Sequence, residues 1–212
     1  MKTIKNSQVL LALGFVLMVL LNSCQKTELP PSNVGEPRLF VRGNFNNQDL
    51  DYTIGNTTIQ GTPVVLNDTN AARTFNFSFS DFANPNGIKI NLSFVNHSPQ
   101  FGDLNTDLDN TFVPGNKVIA DIFPSPANPL QLSTFTISLT DSSVVYSSRK
   151  YFSLPDSSFC KIDSVSDLTW LDNITYKMVY LSFNCSMIKQ STPDSTFYQF
   201  KNAKAVIAFP KQ

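Results

Sequence analysis

Apolar and polar side chains alternate one by one over much of the chain after residue 37. The segment 74–82 reads TFNFSFSDF and places three phenylalanines on one face, with asparagine and serine on the other. The segment 87–94, GIKINLSF, repeats the alternation, and a stretch containing Asn, Pro and Gly separates the two. Two alternating runs joined by such a loop predict a β-hairpin.

Nine further segments show the composition or alternation of β-strands. They are 38–45, 51–54, 64–66, 117–123, 131–139, 144–152, 159–165, 176–185 and 197–209. No segment after residue 23 has the i, i+3, i+4, i+7 apolar spacing of an amphipathic helix. Many short strands joined by Gly, Pro, Asn and Asp predict an all-β fold. We expect an antiparallel β-sandwich, with a β-barrel-like closure as the alternative.

The first 24 residues have a different pattern. Two lysines, Lys2 and Lys5, precede an uninterrupted apolar run at 9–21. That run is too short for a bilayer, which needs about 20 apolar residues, so 1–23 is predicted to be a cleaved signal peptide. Leu21-Asn22-Ser23-Cys24 resembles a bacterial lipobox. The resemblance implies that Cys24 carries a lipid anchor. The alternative is an ordinary cleaved signal in which Cys24 has no such role.

Residues 24–37 are predicted to be the lipidated cysteine and a flexible tether. The stretch QKTELPPSNVGEP contains three prolines and no apolar periodicity. Gln25-Lys26 followed by Glu28 resembles the signal that sends Bacteroidota lipoproteins to the outer face of the outer membrane. We therefore expect outer-membrane localisation, surface-exposed rather than periplasm-facing, with 38–212 as the β-sandwich domain.

Net charge excludes one class of partner. Removal of the signal takes away two of the 16 basic residues, which leaves 14 against 16 acidic residues and a net charge of −2. Nucleic-acid binding requires a clustered basic face, so we expect no nucleic-acid partner.

The last third of the chain carries a family resemblance. The stretch KYFSLPDSSFCKIDSVSDLTWLDNITYKMVYLSFNCSM, followed by FYQFKNAKAVIAF, resembles small β-sandwich lipoproteins of Bacteroidota whose function is not known. The resemblance implies a β-sandwich fold and no particular chemistry.

Cys160 and Cys185 would lie in an oxidising compartment after export, where cysteines usually pair. If Asp172-Asn173 is the two-residue turn of a hairpin, the two cysteines lie opposite each other on its apolar face. We therefore predict a Cys160–Cys185 disulfide with a structural role. Two buried free thiols are the alternative.

An acidic segment, GDLNTDLDN at 102–110, is the candidate metal site. Its oxygen-bearing side chains alternate like the ligands of a calcium loop and are Asp103, Asn105, Asp107 and Asp109. The EF-hand pattern breaks at Leu108, where glycine is needed, and at Pro114, where glutamate is needed. The segment is therefore either a non-EF-hand calcium site or a solvated acidic loop.

Aromatic and hydroxyl side chains supply two further candidate sites. Trp170, the only tryptophan, and Tyr176 could stack on a sugar ring or a protein partner; alternatively, Trp170 packs over the end of the sheet. Ser195 and Ser164 lie in Asp-Ser-Thr and Asp-Ser-Val tripeptides. These tripeptides resemble the acceptor of Bacteroidota O-glycosylation.

The sequence shows no convincing catalytic set. His97 is the only histidine, and no G-x-S-x-G nucleophile elbow is present. We therefore expect a membrane-anchored, surface-exposed, non-catalytic lipoprotein with a binding, adhesion or structural role toward a glycan or protein partner. The alternative is a carboxylate-dependent hydrolase of surface glycans that uses Asp103 or Asp107.

Overall fold

The computed structural model describes residues 38–55, 58–68, 72–84, 86–97, 103–119, 133–148, 158–170, 172–190 and 197–212. The predicted signal peptide, Cys24, the tether and Ser195 lie outside these residues. The described residues contain eleven strands and one short helix. Each strand predicted from the alternation is present among the described residues, and the predicted strand residues 120–123, 131–132 and 149–152 lie outside them.

The elements follow one another along the chain as β1 (Phe40–Phe45), β2 (Gln48–Thr53), β3 (Ile59–Asp68), β4 (Ala72–Asp81), β5 (Lys89–Asn96), α1 (Leu104–Thr111), β6 (Gly115–Ile119), β7 (Ser133–Asp141), β8 (Val144–Ser148), β9 (Phe159–Thr169), β10 (Thr175–Lys189) and β11 (Phe197–Pro210). No helix in the described part of the chain has the length and apolarity that a membrane crossing requires.

The sheet is mainly antiparallel and has two halves. Its strand order is β2-β1-β11-β10-β9-β6-β7-β5-β4-β3, and β8 pairs with both β7 and β10. Of the described strand pairs, β6–β7 is the parallel one. Strands β6 and β8 therefore join the half β3-β4-β5-β7 to the half β2-β1-β11-β10-β9.

A phenylalanine-rich core lies between the two halves. The rings of Phe75 and Phe77 on β4 contact Phe209 on β11, with centroids 5.7 and 6.1 Å apart. Phe112, directly after α1, stacks on Phe209 at 5.1 Å. All four side chains are almost completely buried. The halves thus face each other as the predicted β-sandwich, and the inward phenylalanines of segment 74–82 supply much of its centre.

The short helix α1 was not among the elements predicted from the sequence. Asp103 caps its first turn, because the Asp103 carboxylate accepts a hydrogen bond of 3.0 Å from the backbone N–H of Thr106. The buried residues of α1 are Asp107, Leu108 and Thr111, of which only Leu108 is apolar. A buried face made largely of polar side chains gives no hydrophobic periodicity, which explains why the sequence pattern missed this helix.

Candidate functional site

The four predicted calcium ligands do not converge on one point. Asp103 and Asp107 lie four residues apart on one side of α1, whereas Asn105 and Asp109 lie on the other, because side chains two residues apart in a helix point in different directions. No group of three metal-ligating side chains occurs within the described ranges. The structure therefore lends no support to a calcium site at these residues, because the prediction assumed an extended loop where the chain is helical.

Each of these side chains contacts a partner within the protein. Asp107 is completely buried and pairs with the buried guanidinium of Arg73 on β4. The amide of Asn105 donates to the carbonyl of Gln212 and accepts from its backbone N–H at 3.0 Å. The acidic segment therefore fastens α1 to the sandwich.

Asp109 belongs to a charge network at the same end of the sandwich. Lys177 lies 2.6 Å from Asp109 and 3.4 Å from Asp167, and Lys211 lies 2.8 Å from Asp167. The hydrogen bond from Lys211 lowers the pKa of Asp167 and raises the pKa of Lys211. Two lysines and two aspartates thus form a network without net charge.

The predicted disulfide is absent from the structure. Cys160 lies opposite Phe183 on β10, so Cys185 sits two residues farther along the same strand. Such diagonal neighbours are about 7–8 Å apart at Cα, beyond the usual disulfide range. Both thiols are buried, and no disulfide joins them. Burial raises the pKa of the Cys160 thiol well above its ordinary value, which makes Cys160 a poor nucleophile.

The predicted pairing of β9 with β10 differs from the observed pairing for two reasons, the length of the turn and a bulge. The β9–β10 loop has three residues, 171–173, because the N–H of Trp170 donates to the carbonyl of Ile174 at 3.0 Å. Asn173 adopts the left-handed conformation that such a loop needs, with φ of 60°. The register then shifts again between Tyr180 and Leu181. The prediction of a two-residue Asp172-Asn173 turn was therefore wrong.

The two residues of the predicted aromatic site are in contact at this hairpin tip, with their rings tilted. The rings of Trp170 and Tyr176 lie 4.5 Å apart at an angle of 34°. The Tyr176 hydroxyl donates to the Asp172 carboxylate at 2.9 Å, and burial together with this carboxylate raises the pKa of Tyr176. Trp170 is partly buried and packs against the core, while Ile174 beside it is 41% exposed. The structure thus combines the two interpretations of Trp170, since the ring contacts the core and keeps an exposed part.

A polar surface on β1, β2 and β11 was not found from the sequence. An open concavity of about 600 Å³ lies on the outward side of β1, β2 and β11. Its lining is mostly amide and charged side chains and consists of Arg42, Gly43, Asn44, Asn47, Asp49, Leu50, Asp51, Lys201 and Asn202. We call this surface the polar concavity. The sequence does contain a pattern that could have indicated this surface. Polar residues occupy alternate positions in RGN (42–44) and DLD (49–51), on the two sides of Asn46-Asn47.

Local backbone geometry fixes the shape of the polar concavity. Asn46 and Asn47 have φ of 49° and 68°, as a tight type I′ turn between β1 and β2 requires. Position 43 on β1 requires glycine, because a Cβ there would lie 2.6 Å from the ring of Phe200. On β11, the backbone N–H of Asn202 donates to the side chain of Asn184 at 2.6 Å.

Hydrogen bonds hold the side chains of the polar concavity in place. The Arg42 guanidinium lies 3.0 Å from Asp51 and lies over the ring of Phe40, 4.7 Å from its centroid. Asn44 donates to Asp49 at 2.8 Å. The hydrogen bond from Thr53, aided by Arg42, lowers the pKa of Asp51. Asp51 is therefore ionised near neutral pH.

The other candidate residues lie apart from this surface. Ser164 is exposed on β9 opposite Tyr180. His97 is half-buried, its Nε2 lies 3.1 Å from the hydroxyl of Thr134, and desolvation lowers its pKa.

Comparison with known proteins adds no assignment. No protein-family model matches the chain, and no curated protein or solved structure matches it.

Proposed function

We propose that this chain is a lipoprotein of the Bacteroidota type, anchored through Cys24 in the outer membrane and exposed at the cell surface. Its role is non-catalytic binding, and the polar concavity is the binding surface. The lipobox-like sequence supports the anchor. The observation that carries the binding role is the polar concavity itself, an open surface of hydrogen-bonded side chains on rigid strands.

The lining of the polar concavity favours a glycan as ligand. Asparagine amides both donate and accept, lysine and arginine donate, and carboxylates accept. A sugar hydroxyl also donates and accepts, so a glycan can match this mixture along its whole length. The side chains are held by cross-strand bonds such as Asn44–Asp49, which reduces the ordering cost of binding.

The same surface disfavours the alternative, a carboxylate-dependent hydrolase. Asp49 and Asp51 are two residues apart on β2, so both point outward. A glycoside hydrolase needs one carboxylic acid with a raised pKa, whereas the pKa of Asp51 is lowered. Asp103 and Asp107 do not supply the catalytic acid either, because Asp103 caps α1 and Asp107 is buried against Arg73.

Glycan capture can be tested with the mature protein on a microarray of neutral and acidic polysaccharides. We expect binding that Asp49→Ala and Lys201→Ala each weaken at least about tenfold, equivalent to about 1.4 kcal/mol. Lys161→Ala is the matched control, because Lys161 is an exposed lysine on β9, outside the polar concavity. Absence of binding to every polysaccharide would contradict the proposal, as would equal losses in all three variants.

A further inference from the structure

The outward face of β10 changes character along its length. Val179 and Phe183 point toward the core, so the residues at even positions point outward. From the Trp170 hairpin onward these are Tyr176, Met178 and Tyr180, of which Met178 is completely buried, and they are followed by Ser182, Asn184 and Ser186. The outward face of β10 is therefore apolar near the hairpin and polar beyond Tyr180.

This apolar part has partly exposed aromatic and aliphatic side chains. We call it the aromatic end, and it consists of Phe40, Trp170, Ile174, Tyr176 and Tyr180. Phe40 belongs to it because β1, β11 and β10 bring Phe40, Val206 and Tyr180 side by side. Ile174 is 41% exposed, and the four aromatic residues are partly exposed.

The direction of β1 brings the chain into the sandwich near the aromatic end. Phe40 pairs with Val206, and Phe45 pairs with Phe200, so the start of β1 is the end nearer to the finish of β11. The finish of β11 lies beside the start of β10, because the N–H of Lys211 donates to the carbonyl of Thr175 at 2.8 Å. The turn at Asn46-Asn47, next to the polar concavity, lies at the other end of β1.

Cys24 precedes Arg38 by only 14 residues in the sequence. Fourteen residues span at most about 50 Å when fully extended. A lipid on Cys24 therefore keeps the start of β1 within about 50 Å of the membrane. The aromatic end includes Phe40, the first residue of β1, and so adjoins that entry point.

We propose that the aromatic end rests on the interfacial layer of the membrane that holds the Cys24 lipid. This proposal rests on the proposed lipid anchor. Tryptophan and tyrosine favour the boundary between headgroups and acyl chains, where one part of the ring is apolar and the other wet.

The charges near the aromatic end permit this contact. Lys177 and Lys211 are balanced by Asp109 and Asp167 in the network described above. The Asp172 carboxylate accepts hydrogen bonds from the N–H of Ile174 and from the Tyr176 hydroxyl, both at 2.9 Å. Apolar burial rather than charge attraction would drive the contact, so we expect it to be insensitive to salt.

Trp170 is the only tryptophan and therefore reports on the aromatic end without interference. The mature lipidated protein is reconstituted into phosphatidylethanolamine–phosphatidylcholine vesicles, and the phosphatidylcholine is brominated near its carbonyl groups. We expect the emission of Trp170 to fall by about half or more, because interfacial side chains lie about 5–10 Å into this layer. Acrylamide quenching should fall in parallel.

Two variants with similarly exposed apolar residues separate membrane contact from general damage. Ile174→Asp should restore the emission in brominated vesicles, whereas Val64→Asp should not, because Val64 is 39% exposed on β3, in the other half of the sheet. Co-sedimentation with vesicles reports the Cys24 anchor separately. Co-sedimentation without bromine quenching would overturn the membrane contact and leave the anchor intact.

Two further outcomes would assign the aromatic end to another occupant and so overturn the proposal. Protection of Trp170 from acrylamide that depends on protein concentration in the absence of vesicles would indicate a second copy. Protection by soluble polysaccharide alone would indicate a glycan.

Discussion

The buried Arg73–Asp107 pair is the most sensitive point of the α1 attachment. The carboxylate of Asp107 is inaccessible, and the side chain of Arg73 is 7% exposed. Asp107→Ala leaves the guanidinium buried without this partner. Breaking a buried pair from one side costs about 3–5 kcal/mol. Such a loss is large against a typical total of about 5–15 kcal/mol for a whole domain.

Urea denaturation followed by Trp170 fluorescence measures this change. Asp103→Ala is the matched control, because it removes only the carboxylate that caps the same helix, and its loss of stability should be much smaller. The double variant Arg73→Met/Asp107→Leu removes both charges. It should lose much less stability than Asp107→Ala, because no charge is left buried.

The same urea denaturation, repeated with added calcium, tests independently whether the protein binds this ion. A calcium site at one hundred times its dissociation constant would add about 2.7 kcal/mol to the free energy of unfolding. We expect no change on adding calcium or a chelator, because α1 separates the four oxygen-bearing side chains. Stabilisation by calcium would refute this reasoning, and so would an Asp107→Ala variant that loses no more stability than Asp103→Ala.

Three further predictions concern the two cysteines, His97 and Trp170. Cys160 and Cys185 should both react with an alkylating reagent in unfolded, unreduced protein, and an intact mass that reductant changes would contradict this. His97 should titrate by NMR below its ordinary pKa of 6.5. The unfolded state then binds a proton on His97 more readily than the folded state does. Protonation of His97 should therefore lower the free energy of unfolding as the pH falls through 6.5, and His97→Gln should abolish this pH dependence. Trp170→Ala should cost about 1–3 kcal/mol in urea denaturation, between surface and core values, and a cost outside this range would refute partial burial.

The strands could be predicted from the sequence because a strand that is buried on one face has apolar residues at every second position. Phe75, Phe77 and Phe79 all point into the core, and the intervening polar residues do not. The helix α1 has no comparable pattern in the sequence. Its buried Asp107 pairs with Arg73, which lies 34 residues away along the chain. Only the folded chain brings these two residues together.

Register and surface shape were also beyond the sequence pattern. The left-handed Asn173 and the shift between Tyr180 and Leu181 displaced Cys185 from its predicted place opposite Cys160. The polar concavity combines β1, β2 and β11, which come from opposite ends of the domain. No local pattern could show that Arg42 and Lys201 belong to one surface.

Lipidation of Cys24 is the most direct test of the central claim that this β-sandwich is a membrane-anchored lipoprotein. Cells that express the full chain or Cys24→Ala are grown with labelled palmitate and then fractionated. Stable attachment needs two or more acyl chains, so we expect label and membrane retention in the parent and neither in Cys24→Ala. Equal label and equal membrane retention in the two proteins would contradict the account.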